Sequence, residues 1–358
     1  MPIESINVSS KIKNYSVYFL DSIEVLLDRI NILPNKILIV DKNVFNLYKG
    51  LLHKKLNTNH SVILLEVNED RKTMDSVLEL YGEVMKNSPR RNMTIVSIGG
   101  GITQDITGYL SSTLYRGVNW IYVPTTLLAQ ADSCIGSKTS LNYKEYKNLL
   151  GTFYPPTEVI LCTEFLNTIR DNDFLSGLGE VIKLALLGGG KEYNFIKNNL
   201  ATLIQRTQSN LLKEAIKQSL IIKKIYIESD ELDTGKRNML NYGHCFGHAL
   251  EYESNYSIPH GQAVVMGMIL ANIVARERGL LSQESEQYLK HSLFAKLLPK
   301  QLLNYHINFE RLVNAMKKDK KRIGEDLPLI MIKEDFEPTK VTDLSIEEVR
   351  KAVEEYRY

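Results

Sequence analysis

Three histidines stand close together, His244 and His248 in Asn241-Tyr242-Gly243-His244-Cys245-Phe246-Gly247-His248 and His260 in Pro259-His260-Gly261. A four-residue spacing on a helix places His244 and His248 on one face, about one turn apart. Neutral imidazole is a common zinc ligand, and a catalytic zinc takes three protein ligands and keeps a fourth position open. Histidines that cap helices or fill a core would give the same spacing. Upstream, Glu180 and Lys183 lie three apart in an apolar run and share a helix face; a simple i,i+3 ion pair has that pattern too. Gly99-Gly100-Gly101 follows an apolar stretch ending at Ile98. Glycines at a strand-to-helix turn let backbone approach a phosphate, and the helix N-terminus offers N–H groups to a pyrophosphate, although three glycines also make an ordinary tight turn. The run from Pro124 to Ser133, with Lys138 and Lys147-Asn148 behind it, is rich in small polar groups for a core segment, and a capped helix with a surface loop would explain it equally well.

These groups must be positioned by something large. The chain has 358 residues, 44% of them apolar and 24% charged, which fits two globular domains with real cores. Its 44 basic and 42 acidic side chains leave a formal charge of +2, so no general positive field exists to hold nucleic acid. Cys134, Cys162 and Cys245 are an odd number without a CxxC pair, which suits a reducing, cytoplasmic setting. Charged residues near the N-terminus leave no export signal, and the longest apolar segment, Ala263 to Ala275, is too short to span a membrane and is expected to be a core helix.

Short β-branched runs at Ile37 to Val40, Val62 to Val67, Met93 to Ile98 and Trp120 to Val123 predict strands covered on both faces. Met74, Val77, Leu78, Tyr81, Val84 and Met85 predict a helix between the second and third, and another helix is expected from Asp105 to Leu114. After Thr163 the texture turns helical: around Gly177 to Leu187, then Leu211 to Glu228, Asn238 to Glu253 and Ala263 to Arg278. An α/β domain over residues 1–165 followed by an all-α domain over 166–358 is the expected organisation.

Taken in order, Gly99-Gly100-Gly101 with Asp105, Arg116-Gly117, Pro124-Thr125-Thr126-Leu127-Leu128-Ala129-Gln130, Asp132-Ser133, Lys138-Thr139, Lys147-Asn148, Gly179-Glu180-Val181-Ile182-Lys183, Leu240-Asn241-Tyr242-Gly243-His244 and His260-Gly261 resemble the sugar phosphate cyclases of the 3-dehydroquinate synthase family. The resemblance spans roughly residues 37 to 325. It implies a Rossmann-like N-terminal domain and a helical C-terminal domain, with NAD and zinc or cobalt in the cleft between them. Glu180, His244 and His260 match the family's metal ligands, which turns His248 into a group on the substrate side. For NAD the matching residues are Asp41, Asn43, Glu69, Lys72, Gly100, Gly101, Asp105, Thr125, Thr126, Leu128, Asp132, Lys138, Lys147, Phe165 and Thr168. Asp132, Lys138, Lys183, Lys223, Arg237, Asn241 and His248 match catalytic positions, and Asn148, Lys320 and Lys321 match substrate-binding ones. Arg116 matches an arginine that reaches the substrate phosphate across a dimer interface, so a homodimer is implied.

The implied reaction is cyclisation of 3-deoxy-arabino-heptulosonate 7-phosphate to 3-dehydroquinate and phosphate, by transient oxidation, phosphate elimination, reduction and aldol closure. Arg237, Leu240 and Asn241 favour this branch, since an arginine fork reads a carboxylate bidentately. A specialised cyclase of the aminodehydroquinate, heptulose phosphate or 2-deoxy-scyllo-inosose type is the alternative within the family. Outside it stand an NAD- and metal-dependent polyol dehydrogenase and a nucleotide-binding protein without catalysis. A neutral polyol gives Lys138, Lys183, Lys223 and Arg237 no reason to converge, and the non-catalytic reading requires a missing ligand or lysine, of which none is missing. Five positions depart from the family's usual residues: Ser137 and Tyr146 replace glycines, Cys245 a threonine, Gln262 a glutamate, and Gly179 an alanine or serine.

Overall fold

The computed structural model describes residues 3–55, 61–144, 146–318 and 327–356. Contacts divide the chain into two compact units, Met1–Ile169 with Ile227–Leu232, and Arg170–Tyr226 with Asp233–Tyr358. The expected boundary fell at residues 165 and 166. The return of six residues to the first unit was not foreseen, because a helix that ends in a different unit from the one where it begins leaves no mark in periodicity.

The first unit is built on a seven-stranded sheet. Its strands are β1 (Ser5–Val8), β2 (Tyr15–Phe19), β3 (Lys36–Asp41), β4 (Ser61–Leu65), β5 (Thr94–Gly99), β6 (Asn119–Pro124) and β9 (Glu158–Leu161), in the order β1-β2-β9-β6-β5-β3-β4. A separate hairpin pairs β7 (Lys138–Tyr143) with β8 (Tyr146–Phe153). Every pairing in the large sheet is parallel except β1 with β2. The central strands β3, β5 and β6 are buried at all but their first residue, as strands covered on both faces must be. The chain leaves β3 toward β4 and then returns to β3's other side as β5, so the direction of winding reverses between β3 and β5. Open parallel sheets bind ligands at such a reversal, beyond the carboxyl ends of the strands. Asp41, Gly99 and Pro124 all end their strands at that edge.

The helix after β5 runs Gly101–Thr113, four residues earlier than periodicity predicts, because its first turn is glycine and threonine rather than an apolar stripe. The helix Met74–Lys86 is as expected, with the Thr73 side chain capping it.

Among its described residues the second unit is helical apart from one hairpin, β10 (Leu329–Ile332) with β11 (Pro338–Val341). That hairpin corrects the expectation of an all-α domain; its strands are four residues each, too short for alternation to register. At the centre lies the helix His260–Glu277, buried continuously from Gly261 to Ala275. Asn272, which interrupts this apolar run, accepts a 2.6 Å hydrogen bond from the Tyr242 hydroxyl, which pairs both oxygens and leaves the buried Asn272 Nδ2 without a hydrogen bond. Among the described residues no helix is long and apolar enough to cross a membrane.

Two backbones approach unusually closely here. A Cβ on Gly261 would stand 1.9 Å from the Ser176 carbonyl oxygen, and one on Gly179 would stand 2.7 Å from the Gly261 carbonyl oxygen. The helix Asp171–Gly188 therefore crosses His260–Glu277 at a point where only hydrogen fits on either side. Gly179, a departure by sequence, is required by this contact. Gly261→Ala should lower unfolding free energy by about 3 kcal/mol or more, the upper end of overpacking costs, read as a lower urea midpoint at unchanged m-value; an unshifted midpoint would show that the helices can separate without cost.

Candidate active site

The close helix crossing brings a carboxylate to two imidazoles. Glu180 is fully buried, and its Oε1 lies 3.6 Å from His244 Nε2 and 3.4 Å from His260 Nε2. Lys183, one turn on, places Nζ 2.5 Å from Oε2. Even so, neither carboxylate oxygen receives a hydrogen bond of acceptable alignment. Burial alone would raise the Glu180 carboxyl, but the Lys183 ammonium and His260 overrule it and hold the group below the usual carboxylate range.

The outer nitrogens of both rings are fixed. His244 Nδ1 lies 3.2 Å from the Tyr242 carbonyl oxygen, a contact that requires an Nδ1 proton and leaves Nε2 with its lone pair toward Glu180. Gly243 takes the left-handed backbone, φ +79°, that turns the chain into the helix His244–Glu253 at this point. His260 Nδ1 lies 3.1 Å from Glu251 Oε2, the carboxylate–imidazole pairing that orients metal-bound histidines. Sequence reasoning missed Glu251, although His244, His248 and Glu251 share one face of a single helix and that spacing was a usable signal. A buried carboxylate without aligned donors, facing the Nε2 atoms of two imidazoles, fits one divalent cation: Glu180, His244 and His260 offer three ligand atoms all within 4.8 Å of one another.

Besides Lys183, the second unit buries two more cationic side chains, Lys223 and Arg237, each less than one-tenth exposed. Asn241 and His248 are half-buried, and both line a cavity together with His244. Lys320 and Lys321 lie outside the described residues.

In the first unit the expected cofactor residues collect at the carboxyl edge of the sheet. Asp41 is buried and its carboxylate accepts from the Asn43 backbone N–H, capping the following helix; burial raises its pKa. Gly100 precedes the helix Gly101–Thr113, and no side chain caps that N-terminus, so its N–H groups face outward as a pyrophosphate site requires. Thr125 donates its backbone N–H to Gly99, and the Thr126 methyl would lie 3.1 Å from a Cβ on Gly100, which places both threonines beside the glycine turn. Phe165 is buried edge-on to Tyr48, whose hydroxyl lies 2.9 Å from Thr168 Oγ1. Leu128 and Asp132 are half-buried around a π-helical turn, Ala129–Ser133.

Several expected residues are tied to one another. Lys72 Nζ lies 2.5 Å from Asp105 Oδ2 and donates to Asn148 Oδ1 at 2.6 Å, and Asp105 also accepts from the Ser140 backbone and hydroxyl. Burial raises the Asp105 pKa against the pull of Lys72. Asn148, expected on the substrate, is thus held by Lys72 and Ser140, while Lys147 lies 3.6 Å from Glu69. Arg116 is exposed within three successive positive-φ residues, Tyr115, Arg116 and Gly117. Lys138 opens β7, and the residue before it, Ser137, has φ +65°. Left-handed backbone costs a non-glycine residue roughly 1–2 kcal/mol. The compensation is a 2.5 Å hydrogen bond from Ser137 Oγ to buried Glu231, which also accepts from Ser10 Oγ and Lys11 N–H. The serine at this glycine position is explained by that carboxylate.

The N-terminal model of the 3-dehydroquinate synthase family matches residues 62–176 and its C-terminal model residues 177–322. A 3-dehydroquinate synthase of Dictyoglomus thermophilum is 34% identical over 356 residues, covering 98% of each chain. Among solved structures, the 2-epi-5-epi-valiolone synthase of Streptomyces hygroscopicus subsp. jinggangensis, with NAD+ and Zn2+ bound, superposes with a TM-score of 0.87 at 24% identity, covering 97% of this chain and 98% of that one. A 2-deoxy-scyllo-inosose synthase holding carbaglucose-6-phosphate, NAD+ and Co2+ gives 0.86 at 23% identity, covering 98% and 99%.

Two outcomes follow from this geometry. In the metal-free chain Glu251 and Glu180 outweigh burial and raise His260 from 6.5 to about 10, so at pH 7.5 a divalent ion must displace its proton. Zinc binding should release close to one proton, and affinity should rise about tenfold per pH unit between 6.5 and 10, measured by calorimetry in buffers of different ionisation enthalpy; no proton release at pH 7.5 would contradict the assignment. For Ser137, alanine keeps the strain and loses the hydroxyl, costing about 2 kcal/mol, whereas glycine relieves the strain and costs about 1 kcal/mol. Urea denaturation should therefore rank wild type above Ser137→Gly above Ser137→Ala.

Proposed function

The chain belongs to the 3-dehydroquinate synthase family and is a sugar phosphate cyclase, and on that premise we propose that it converts 3-deoxy-arabino-heptulosonate 7-phosphate to 3-dehydroquinate and inorganic phosphate, with NAD and zinc or cobalt as cofactors. The observation that carries this reading is the burial of Lys183, Lys223 and Arg237 in the unit that holds the Glu180, His244 and His260 cluster. A substrate that carries both a carboxylate and a phosphate gives these cationic positions a role that a neutral polyol does not. Arg237 and Asn241 suit the carboxylate, because a guanidinium fork and an amide fix a planar acid in one orientation.

When bound, NAD supplies reversible hydride transfer and the divalent ion supplies polarisation of the substrate's oxygens. The chain's own residues do the rest. Lys183 and Lys223 place fixed positive charge for the leaving phosphate and the enolate that forms beside it, a preorganised stabilisation worth several kcal/mol, and Lys138 keeps the catalytic role that the family's motif gives it. His248, its ring 5.3 Å from that of His244, is half-buried, and its ring nitrogens are suited to a hydrogen bond on the substrate side. Asp132 and Asn148 complete the substrate's polar partners. Asp41, Asn43, Glu69, Lys72, Gly100, Gly101, Asp105, Thr125, Thr126, Leu128, Lys147, Phe165 and Thr168 form the NAD surface; the switch point between β3 and β5 and the uncapped helix at Gly101 support that assignment.

The proposal extends to a cytoplasmic homodimer. Buried, unbridged Cys134 and Cys162 suit a reducing compartment. On the β7–β8 hairpin Tyr143, Tyr146, Leu149 and Phe153 are 37–48% exposed, an apolar surface suited to a second copy, and Arg116 is the residue that would reach that copy's substrate.

Phosphate release should be measured with the acidic heptulosonate phosphate, sedoheptulose 7-phosphate and glucose 6-phosphate, each with NAD and zinc. Turnover of the acid alone, without accumulation of NADH, is expected. Turnover of only a neutral sugar would reject the substrate and keep the family; net NADH would reject cyclisation.

A further inference from the structure

The cavity that Asn241, His244 and His248 line has a second side without any expected site residue. Met316, Leu327, Pro328 and Ile330 form an apolar wall, and Lys340 of β11 joins them. Lys340 is the cation that lines this cavity among the described residues, and the family's motifs do not supply it.

Its ammonium is held in place. Lys340 Nζ donates to Asn238 Oδ1 at 3.2 Å. The same amide uses its Nδ2 protons on the Asp233 carbonyl and carboxylate, at 3.3 and 3.1 Å, which fixes the oxygen as the end turned to Lys340. Asn238 sits in the turn Lys236–Asn241 that also carries Arg237 and Asn241. The partner is a neutral amide, so this contact does not neutralise the lysine's charge, and an ammonium has three donors of which the amide takes one. Lys340 lines the cavity and is exposed, so its ammonium is accessible to an anion that enters beside the apolar wall.

We propose that Lys340 is a further substrate-binding residue, holding an anionic oxygen group of the substrate in the cavity shared with His244 and His248. This rests on the cyclase reading for the identity of the substrate, though not for the existence of an anion site. Carboxylate and phosphate share the chemistry, and the C-terminal hairpin thereby adds a contact that the metal-bearing helices do not provide.

The test is calorimetric binding to the full chain loaded with NAD and zinc, with inorganic phosphate and with quinate, a phosphate-free cyclic hydroxy acid, as probes. Lys340→Met should weaken one or both about tenfold, the scale of a charged hydrogen bond at a partly exposed site. Lys340→Arg should stay within about twofold of wild type, and Lys333→Met, which removes an ion pair with Glu337 on the same hairpin, should change neither. Loss confined to phosphate assigns Lys340 to the phosphate; loss confined to quinate assigns it to the carboxylate. Unchanged binding of both probes would overturn the proposal. With the true substrate Lys340→Met should raise KM about tenfold and leave kcat within about threefold. A wild-type chain that turns over no acidic sugar phosphate, yet loses anion binding on Lys340→Met, would reject the cyclase substrate while keeping the site.

Discussion

A carboxylate with no exposed surface is the constraint on which this molecule's second unit depends. Glu180 sits where desolvation disfavours its charge, yet Lys183 and His260 keep it ionised. Such a cluster contributes little to stability on its own, since an apolar replacement of equal volume would fold as well. It makes sense as a binding centre, and the surrounding structure is shaped to permit it. Gly179 and Gly261 bring two helices into backbone contact, Gly243 turns a third toward them, and Glu251 orients the ring of His260.

The first unit solves a different problem with the same economy of elements. Its buried parallel strands need only apolar side chains, and the chemistry is pushed to their carboxyl ends, where Asp41, the Gly99–Gly101 turn and Thr125 meet. Lys72 reaches into this edge and is paired there with Asp105 and Asn148, so the polar groups arrive already organised.

Central strands and long helices were legible because their periodicity is strong: β3, β5, β6 and the helix His260–Glu277 lie where apolar runs place them. Strands β1 and β2 and the hairpin strands β10 and β11 were not, since runs of four or five residues are too short for a strand period to register. The grouping of Glu180, His244 and His260 was expected from residue type and spacing joined to the family's motifs, and the structure brings the three together. The supports of that cluster were less legible. Glu251 acts through His260, and Glu231 reaches Ser137 across 94 residues of sequence, a separation no local pattern reports. Of the departures, Ser137 and Gly179 have a physical cause, Tyr146 lies exposed on β8, and Cys245 lines the cavity. Nothing in the structure explains Gln262, buried with its Nε2 unpaired.

The central claim is that Glu180, His244 and His260 together bind one divalent ion. Cobalt titration followed by its visible absorption, on wild type and on Glu180→Gln, His244→Ala and His260→Ala, tests it most directly. The account predicts one Co2+ per wild-type chain with an intense, low-symmetry d–d band, and a loss of both affinity and band in every variant. An identical band and stoichiometry in all four proteins would place the ion elsewhere and contradict the account.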